Sequence, residues 1–339
     1  MNREHIRLHG GKAERGMTIV ELMIAMVIGL IVLGAVSSVF ISTRQTFRTT
    51  DSLSRIQESA RYALEMMARD IRMAGYIGCG NLRAVDVDIL ATGAITDLSF
   101  DKAVEMEGGV SSTTTIGGVA LVEGTDTISI IGAFDPAVVV ANDGGVAGLN
   151  TFGNPREFRK NDIVIVSDCV QADVFRITNE PTIPKTDEGD HDLSVEVTLE
   201  HAVEATGNRS RDNRYEQGAQ VFRPRQYTYF LGLNAANRPA LFRGALAADF
   251  LTPVAPVELA DNIENMSLVF RNAQGATVTG VAVGTDAVRV QIQLLLVSPE
   301  DNVLPEPQTY VFAGTEVSPT DRRMRQVFST TVAIRNRLP

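Results

Sequence analysis

The sequence is poor in the residues and motifs that carry most enzyme chemistry and most metal binding. Its 339 residues include only two cysteines and four histidines. It contains no Gly-x-Ser-x-Gly motif, no phosphate-binding glycine loop, no His-Glu-x-x-His and no Cys-x-x-Cys. No nucleophile can be matched to a neighbouring base, and no cofactor motif is present. We therefore expect a protein that is not an enzyme and that binds no cofactor.

Lysine is also scarce, so arginine supplies most of the positive charge. The net charge is −10, and residues 1–16 hold four basic against two acidic residues, which leaves −12 on the rest of the chain. An acidic surface does not displace the counterions of nucleic acids, and we expect no nucleic-acid partner. Five arginines near the C-terminus are candidates for contact with DNA or an acidic partner, but we expect most of them to lie on exposed strand faces or to pair with nearby carboxylates: Arg322, Arg323, Arg325, Arg335 and Arg337.

The two cysteines, Cys79 and Cys169, have two interpretations. In an oxidising periplasm they would form one disulfide that closes a loop of about 90 residues, worth roughly 4–5 kcal/mol in the chain-entropy account. The alternative is two buried thiols. A metal site built on them is disfavoured, because His191 and His201 are the only histidines beyond residue 16 and neither stands at ligand spacing from a cysteine.

A short acidic segment surrounds Gly189. Its oxygen ligands could hold Ca²⁺, but the spacing does not match an EF-hand loop, and a solvated acidic turn is the better interpretation. We therefore expect no metal site, with four weak candidates: Asp187, Glu188, Asp190 and Asp192.

The one membrane-length apolar run, Met17–Ile41, follows Gly16 directly. Its 25 residues would span about 38 Å as a helix, enough to cross a bilayer. Glu21 is the only ionisable residue in the run. A carboxylate in lipid costs roughly 2.5–3.5 kcal/mol at a helix centre and less near an end, so its presence suggests a partner charge. Two other interpretations are a secretory signal peptide, with its core at residues 17–33 and cleavage near residues 35–37, and a permanent single-pass anchor.

The helical pattern continues well beyond this run, which a secretory signal peptide does not explain. Apolar residues recur three and four positions apart at Leu53, Ile56, Ala60, Ala63, Leu64, Met67, Ile71 and Ala74. Opposite charges stand four apart at Asp51–Arg55, Arg61–Glu65 and Glu65–Arg69. No proline occurs before Pro136, and the glycines at 75, 78 and 80 are helix stop signals. The pattern predicts one helix from Met17 to Ala74.

After Gly80 the pattern changes to the period of two that is typical of strands. Residues 91–124 and 141–156 are rich in Gly, Thr, Ser and Asn, and we interpret them as loops or irregular edges. The predicted strands are Asp126–Ile131, Asp162–Ser167, Asp173–Thr178, Leu193–Leu199, Gln220–Leu231, Met266–Arg271, Ala287–Val297, Thr309–Ala313 and Gln326–Arg335.

The order of Gly16, Met17, Glu21 and the apolar run resembles the type III prepilin signal of type IV pilins and of the pseudopilins of type II secretion. The resemblance implies that a prepilin peptidase cleaves after Gly16 on the cytoplasmic face and methylates the new N-terminus at Met17. It also implies that Glu21, at the fifth mature position, pairs with the N-terminal amine of a neighbouring subunit. The family most often has phenylalanine where this chain has Met17, a difference compatible with processing.

The body of the chain resembles the PilW family of minor pilins. The residues that carry this resemblance are Leu121–Asp126, Val164–Cys169, Arg238–Arg243, Leu259–Met266 and Thr331–Arg337. The resemblance covers almost all of the mature chain. It implies an α+β, pilin-like fold, in which a long N-terminal helix with a membrane-spanning first half carries one β-rich antiparallel domain. The expected organisation is a leader (1–16), a transmembrane and assembly segment (17–41), an amphipathic helix (42–75) and a β-rich periplasmic or tip domain (76–339).

The resemblance also implies a role. The chain would join other minor pilins to prime type IV pilus assembly and lie at the pilus tip, in support of twitching motility and cell adhesion. The implied partners are other minor pilins, a tip-associated adhesin, the prepilin peptidase, the inner-membrane assembly platform and, before assembly, inner-membrane lipid. Before assembly its body would face the periplasm of a bacterium. Two alternatives stay open: a J-type minor pseudopilin of type II secretion, and a tip-exposed adhesive binding module that uses the long loops.

Overall fold

The structure is a computed structural model that describes residues 16–78, 85–92, 103–145, 148–203, 208–280 and 286–338. The chain divides into two compact units, one that ends at Asp51 and one that begins at Ser52. The described part of the first unit consists of the first half of a long helix and the three residues before it. The second unit holds the other half of the helix and all of the described strands.

Helix α1 runs from Ile19 to Met73, a length of 55 residues. It ends at a short turn in which the Ala74 N–H donates to the Ile71 carbonyl at 3.2 Å. Gly75 then takes a φ of 71°, the left-handed conformation that glycine adopts without strain after a helix. The predicted helix and its predicted stop at Gly75 are thus confirmed to within two residues at each end.

The described residues form twenty strands. In chain order they are β1 (Asp86–Ile89), β2 (Val104–Glu107), β3 (Thr115–Ile116), β4 (Val119–Ala120), β5 (Thr127–Gly132), β6 (Val138–Asp143), β7 (Gly148–Phe152), β8 (Ile163–Ser167), β9 (Gln171–Arg176), β10 (Glu196–Glu200), β11 (Gln220–Phe222), β12 (Arg225–Leu233), β13 (Pro239–Leu246), β14 (Pro253–Asp261), β15 (Ile263–Arg271), β16 (Thr277–Val278), β17 (Arg289–Val297), β18 (Tyr310–Phe312), β19 (Thr315–Val317) and β20 (Arg325–Ala333). A 3₁₀ turn, Arg335–Arg337, follows β20.

These strands form three larger sheets and two hairpins. A five-stranded sheet has the order β14-β13-β12-β5-β2, and a four-stranded sheet has the order β16-β15-β17-β20. Both are antiparallel throughout. A seven-stranded sheet has the order β1-β9-β8-β11-β6-β7-β10, and within it only β1 and β9 run parallel. Strands β3–β4 and β18–β19 pair as hairpins.

The main core lies between the second half of α1 and the five- and four-stranded sheets. The helix contributes Ile56, Ala60, Ala63, Met67 and Ile71, which recur at spacings of three and four. Burying an aliphatic side chain of this size contributes about 1.5–3 kcal/mol, so this stripe holds the helix on the sheets. The facing residues include Ile128, Leu231, Leu241, Met266, Ile292 and Leu294.

The end of α1 is also fixed to strand β5 through the backbone. The Gly75 N–H donates to the Ile131 carbonyl at 2.7 Å, and the Ala133 N–H donates to the Tyr76 carbonyl at 2.8 Å. Gly132 lies between these contacts, and a Cβ there would stand 2.8 Å from the Met73 carbonyl oxygen. A side chain at 132 would therefore separate the helix from the sheet.

The seven-stranded sheet has cores of its own. One cluster contains Phe158, Val164, Phe175, Leu199 and Tyr215, among others. A second contains Ile163, Ile165, Val174 and Phe250, together with Ile77 from the segment after α1. Every strand of this sheet lies within residues 86–222, between the helix and strand β12.

The structure places strands in residues 91–124 and 141–156, which the sequence indicates as loops or irregular edges. Strands β2, β3 and β4 lie in the first segment, and the end of β6 and all of β7 lie in the second. The sequence concealed them because β3 and β4 have only two residues each and β7 contains Gly and Asn. Strands β1, β13, β14, β16 and β19 were missed as well.

The predicted strand Gln220–Leu231 is also wrong as a single element. It divides into β11, in the seven-stranded sheet, and β12, in the five-stranded sheet. Pro224 stands at the division and has no N–H to donate to a neighbouring strand, so the chain leaves one sheet there and enters another. The other predicted strands coincide with β5, β8, β9, β10, β15, β17, β18 and β20, with ends that differ by at most three residues.

Candidate assembly helix and its anchor

The start of α1 is a capped helix terminus. Thr18 precedes the helix, its hydroxyl accepts a hydrogen bond from the Glu21 N–H at 3.2 Å, and its carbonyl accepts one from the Leu22 N–H at 3.1 Å. Thr-x-x-Glu is the spacing of a capping box, and a carboxylate in the first turn interacts favourably with the helix dipole. The helix cap and the helix dipole therefore favour Glu21 at this position, in addition to any partner charge.

The first half of α1 has no cover within its own unit. Every side chain from Met17 to Ile41 is exposed, and the large apolar ones are at least half exposed. The helix is long and apolar enough to cross a membrane. An apolar surface of this size is stable only against lipid or other protein. Gly16, just before the helix, has no atom within 4 Å of the position of an added Cβ.

The second half of α1 carries a buried carboxylate, Asp70, on its packed face. The Tyr229 hydroxyl donates to the Asp70 Oδ2 at 2.5 Å, and the Arg243 Nη1 donates to the same oxygen at 3.2 Å. Burial and the adjacent Asp70 charge raise the pKa of Tyr229, so the phenol stays protonated and donates. The Arg243 guanidinium also lies over the Tyr227 ring, 4.5 Å from its centre. This Asp70 anchor ties the helix to β12 and β13.

Our sequence analysis missed this anchor. One signal was available: Asp70 lies three residues after Met67 and seven after Ala63, on the apolar stripe itself. A charged residue at such a position is rarely buried without a partner. The partners, Tyr229 and Arg243, are distant in sequence, and no local pattern identifies them.

A second buried polar cluster lies in the seven-stranded sheet. The Arg211 guanidinium donates to the Asp143 Oδ1 at 2.6 Å and to the Gly145 carbonyl. Burial alone would raise the pKa of Asp143, but the hydrogen bonds from Arg211 and from backbone N–H groups outweigh it and lower that pKa. His201 is fully buried against the Phe175 ring, and burial together with the Arg211 charge lowers its pKa to about 4. The cluster offers charges but no nucleophile beside a base.

The remaining predicted site residues are the two cysteines and the acidic segment around Gly189. Cys79 lies outside the described residues, so its pairing with Cys169 stays a prediction; Cys169 itself follows β8 at a φ of 79°. In the acidic segment, Asp187, Glu188 and Asp190 are exposed, and Asp192 accepts hydrogen bonds from Ser194. Within the described ranges, no group of three or more His, Cys, Asp or Glu side chains is arranged to hold a metal ion.

Among the C-terminal arginines, Arg325 pairs with carboxylates as expected, whereas the Arg322 guanidinium donates to the Asn302 side chain and the Pro305 carbonyl. Arg325 binds both Glu264 and Asp321, at 2.7 and 2.5 Å. Arg337 is buried, whereas Arg335 is exposed. The predicted helix-surface pairs Arg61–Glu65 and Glu65–Arg69 are wrong, because none of these three side chains forms an ion pair or hydrogen bond within the described residues.

Comparison with known proteins gives two family matches. Residues 11–37 match the prokaryotic N-terminal methylation motif, and residues 228–336 match the type IV pilus-assembly protein W. One relative is the pilin-like protein PilA3 of Thermus thermophilus, 36% identical over 70 residues, which are 20% of this chain and 30% of that protein. The chain thus spans less than a third of that relative. No solved structure matches.

The methylation motif, the exposed apolar helix and the β-rich body together define a pilin-type protein. The match over strands β12 to β20 is more specific, because this part of the chain is similar to the PilW family of type IV pilus-assembly proteins. These features fit anchoring in the bacterial inner membrane, followed by pilus assembly. The seven-stranded sheet, at residues 86–222, lies outside the PilW match.

The Asp70 anchor leads to a stability prediction. Asp70→Ala should lower the free energy of unfolding by about 2–4 kcal/mol, because it leaves the Arg243 charge without its acceptor. Chemical denaturation of the purified chain in detergent measures this. Glu65→Ala on the exposed face is the matched control and should change the value by less than about 0.5 kcal/mol. Equal stability of the two variants would contradict the anchor.

His201 leads to a prediction on pH. The folded protein keeps His201 neutral down to about pH 4, whereas the unfolded chain takes up this proton near pH 6.5. Stability should therefore be full above pH 6.5 and fall by about 3 kcal/mol as the pH drops to 4. Burial raises the pKa of Asp173, which offsets part of this loss. His201→Gln should lose much less over the same range, and parallel curves for the two proteins would refute the assignment.

Proposed function

We propose that this chain is a structural assembly subunit that joins other minor pilins to prime type IV pilus assembly and that lies at the pilus tip. The observation that carries the proposal is an exposed apolar helix that begins at a methylation motif and continues into a PilW-family body. When such helices pack together in a complex, their apolar surfaces are buried against each other and no longer contact water or lipid. The role is structural rather than catalytic.

The proposed mechanism begins in the inner membrane. A prepilin peptidase removes residues 1–16, and cleavage after Gly16 gives Met17 a free amine that is then methylated. The Thr18 cap keeps the new terminus helical up to its first turn. In the assembled complex, Glu21 pairs with the amine of a neighbouring subunit. In apolar surroundings an ion pair is strong and an unpaired charge is costly, so this contact sets the register of the helices.

The apolar run holds the helices of neighbouring subunits together but does not set their register. Packing of residues 17–41 against other helices is non-directional, because the run is apolar on every face. The proposed partners are therefore other minor pilins and a tip-associated adhesin within the complex, and the inner-membrane assembly platform and lipid before it. The Cys79–Cys169 disulfide, if formed, would stabilise the body in the periplasm.

A second candidate role is a tip-exposed binding module, and the seven-stranded sheet favours it because this sheet lies outside the PilW match. A deletion of residues 103–118 would not test that role, since it removes β2 from the five-stranded sheet. A J-type pseudopilin of type II secretion is the other alternative. Its members usually have shorter bodies, so the length of this chain favours the pilus.

Cleavage after Gly16 is tested by substitution. Gly16→Ala should block processing, because it adds a side chain at the glycine after which the peptidase cuts, and the protein should keep residues 1–16. Mass spectrometry of the intact protein from membranes measures this. Gly29→Ala, also exposed but within the helix, should be processed normally. An unchanged mature mass in the Gly16→Ala protein, or a mature N-terminus downstream of residue 17, would contradict the proposal.

The role of Glu21 is tested by separating its charge from the helix cap. Glu21→Gln should be processed and inserted but should co-purify poorly with the other minor pilins, because the neutral side chain cannot pair with an amine. Thr18→Ala removes the cap, costs about 1 kcal/mol at the helix start and leaves the charge, so assembly should persist. The comparison is made by affinity purification from detergent-solubilised membranes. Normal co-purification of Glu21→Gln would rule out the charge pairing.

A further inference from the structure

A groove beside the end of α1 concentrates arginines on a chain whose net charge is −10. It has a volume of about 550 Å³ and lies between the last turns of α1, strands β12 and β13, and the turn after β20. We call it the arginine groove. Four arginines line it against two aspartates, Asp70 and Asp135; the arginines are Arg69, Arg72, Arg243 and Arg335.

The two aspartates are already neutralised. Asp70 accepts from Tyr229 and Arg243, and Asp135 accepts from Arg225 at 3.1 Å. The three exposed arginines, at 69, 72 and 335, have no acidic partner in the part of the chain that the structure describes. The positive charge of the groove is therefore uncompensated.

The exposed arginines are held close together by the fold. Arg69 and Arg72 stand three residues apart on α1 and so share one helix face. The Asn336 side chain donates to the Ala74 carbonyl at 3.1 Å, which fixes the turn that carries Arg335 against the helix end. Proximity to the helix C-terminus favours Arg72, but it does not explain three uncompensated cations in one groove. An anionic partner would relieve their mutual repulsion.

The floor of the groove is apolar. The Phe134 and Tyr227 rings lie 5.1 Å apart, and Met66 and Met73 of α1 line the same space. A matching occupant has apolar as well as anionic groups. A polypeptide segment in which acidic side chains flank an apolar one meets this requirement. A uniformly charged polysaccharide or duplex nucleic acid does not, because it offers no apolar side chain to the rings and methionines.

A second groove of about 550 Å³ adjoins the arginine groove, because Asp135 lines both. Its charges are largely balanced, since three of its four arginines pair with carboxylates: Arg159 with Glu157, Arg223 with Asp162 and Arg225 with Asp135. Between the two grooves, the exposed arginines without an acidic partner among the described residues are therefore those of the arginine groove.

We propose that the arginine groove binds an acidic segment of a partner polypeptide, with carboxylates on the exposed arginines and an apolar side chain on the aromatic floor. The partner is another subunit of the same assembly. That identity rests on the proposed function, whereas the chemistry of recognition rests on the groove alone.

The test measures binding of a fluorescein-labelled peptide with the repeat Glu-Glu-Leu to the purified full-length mature chain in detergent, by fluorescence anisotropy at low salt. Arg72→Glu/Arg335→Glu should weaken binding by about tenfold or more, since it reverses two charges in the groove. Arg61→Glu/Arg238→Glu changes the net charge equally on exposed arginines outside the groove and should alter binding by less than about twofold. Arg72→Gln/Arg335→Gln should give an intermediate loss.

Binding should also fall steeply as salt rises past 0.1 M, where charges are screened beyond roughly 10 Å. If the two double charge-reversal variants weaken peptide binding equally, net charge alone explains the effect and the proposal is overturned. Tighter binding of a DNA duplex than of the peptide would also overturn it. If the chain associates with itself, and the groove variant abolishes this self-association, the choice of a different subunit as partner would be overturned. The peptide-binding assay does not depend on pilus assembly. A failure of the Glu21 prediction would therefore leave the binding result valid, and a failure of peptide binding would leave the Glu21 result valid.

Discussion

One uninterrupted helix has to satisfy two different environments, and the rest of the structure depends on this constraint. The first half of α1 is apolar on every face and has no cover in its own unit, so only lipid or other subunits can bury it. The second half has a single apolar stripe that packs against two sheets. The helix remains continuous because no proline interrupts it and glycine ends it only at position 75.

The body holds the second half of the helix by three kinds of contact. The apolar stripe supplies most of the stabilisation but little direction, because hydrophobic burial is roughly proportional to area. The Asp70 anchor adds direction, since its carboxylate must meet Tyr229 and Arg243 at once. The close approach at Gly132 then fixes the helix end against β5.

The body itself has two parts with different relations to the family. In the two sheets that cover α1, strands β12 to β17 and β20 correspond to the PilW match, whereas β2, β5 and the seven-stranded sheet precede it in the chain. The arginine groove lies beside α1 and adjoins a second groove at Asp135, next to the seven-stranded sheet. A partner bound across both grooves would therefore contact both parts of the body.

Local sequence patterns determined the long helix, its stop at Gly75, the methylation motif and about half of the strands, because these features depend on residues close together in the chain. The two-residue strands of the β3–β4 hairpin, the division of β11 from β12 and the assignment of strands to three sheets were decided by tertiary pairing. Asp70, Tyr229 and Arg243 show the same limit: each residue is visible in the sequence, but 159 positions separate Asp70 from Tyr229. Only folding places a buried charge beside its partners, since no local periodicity records which distant strand will cover a helix.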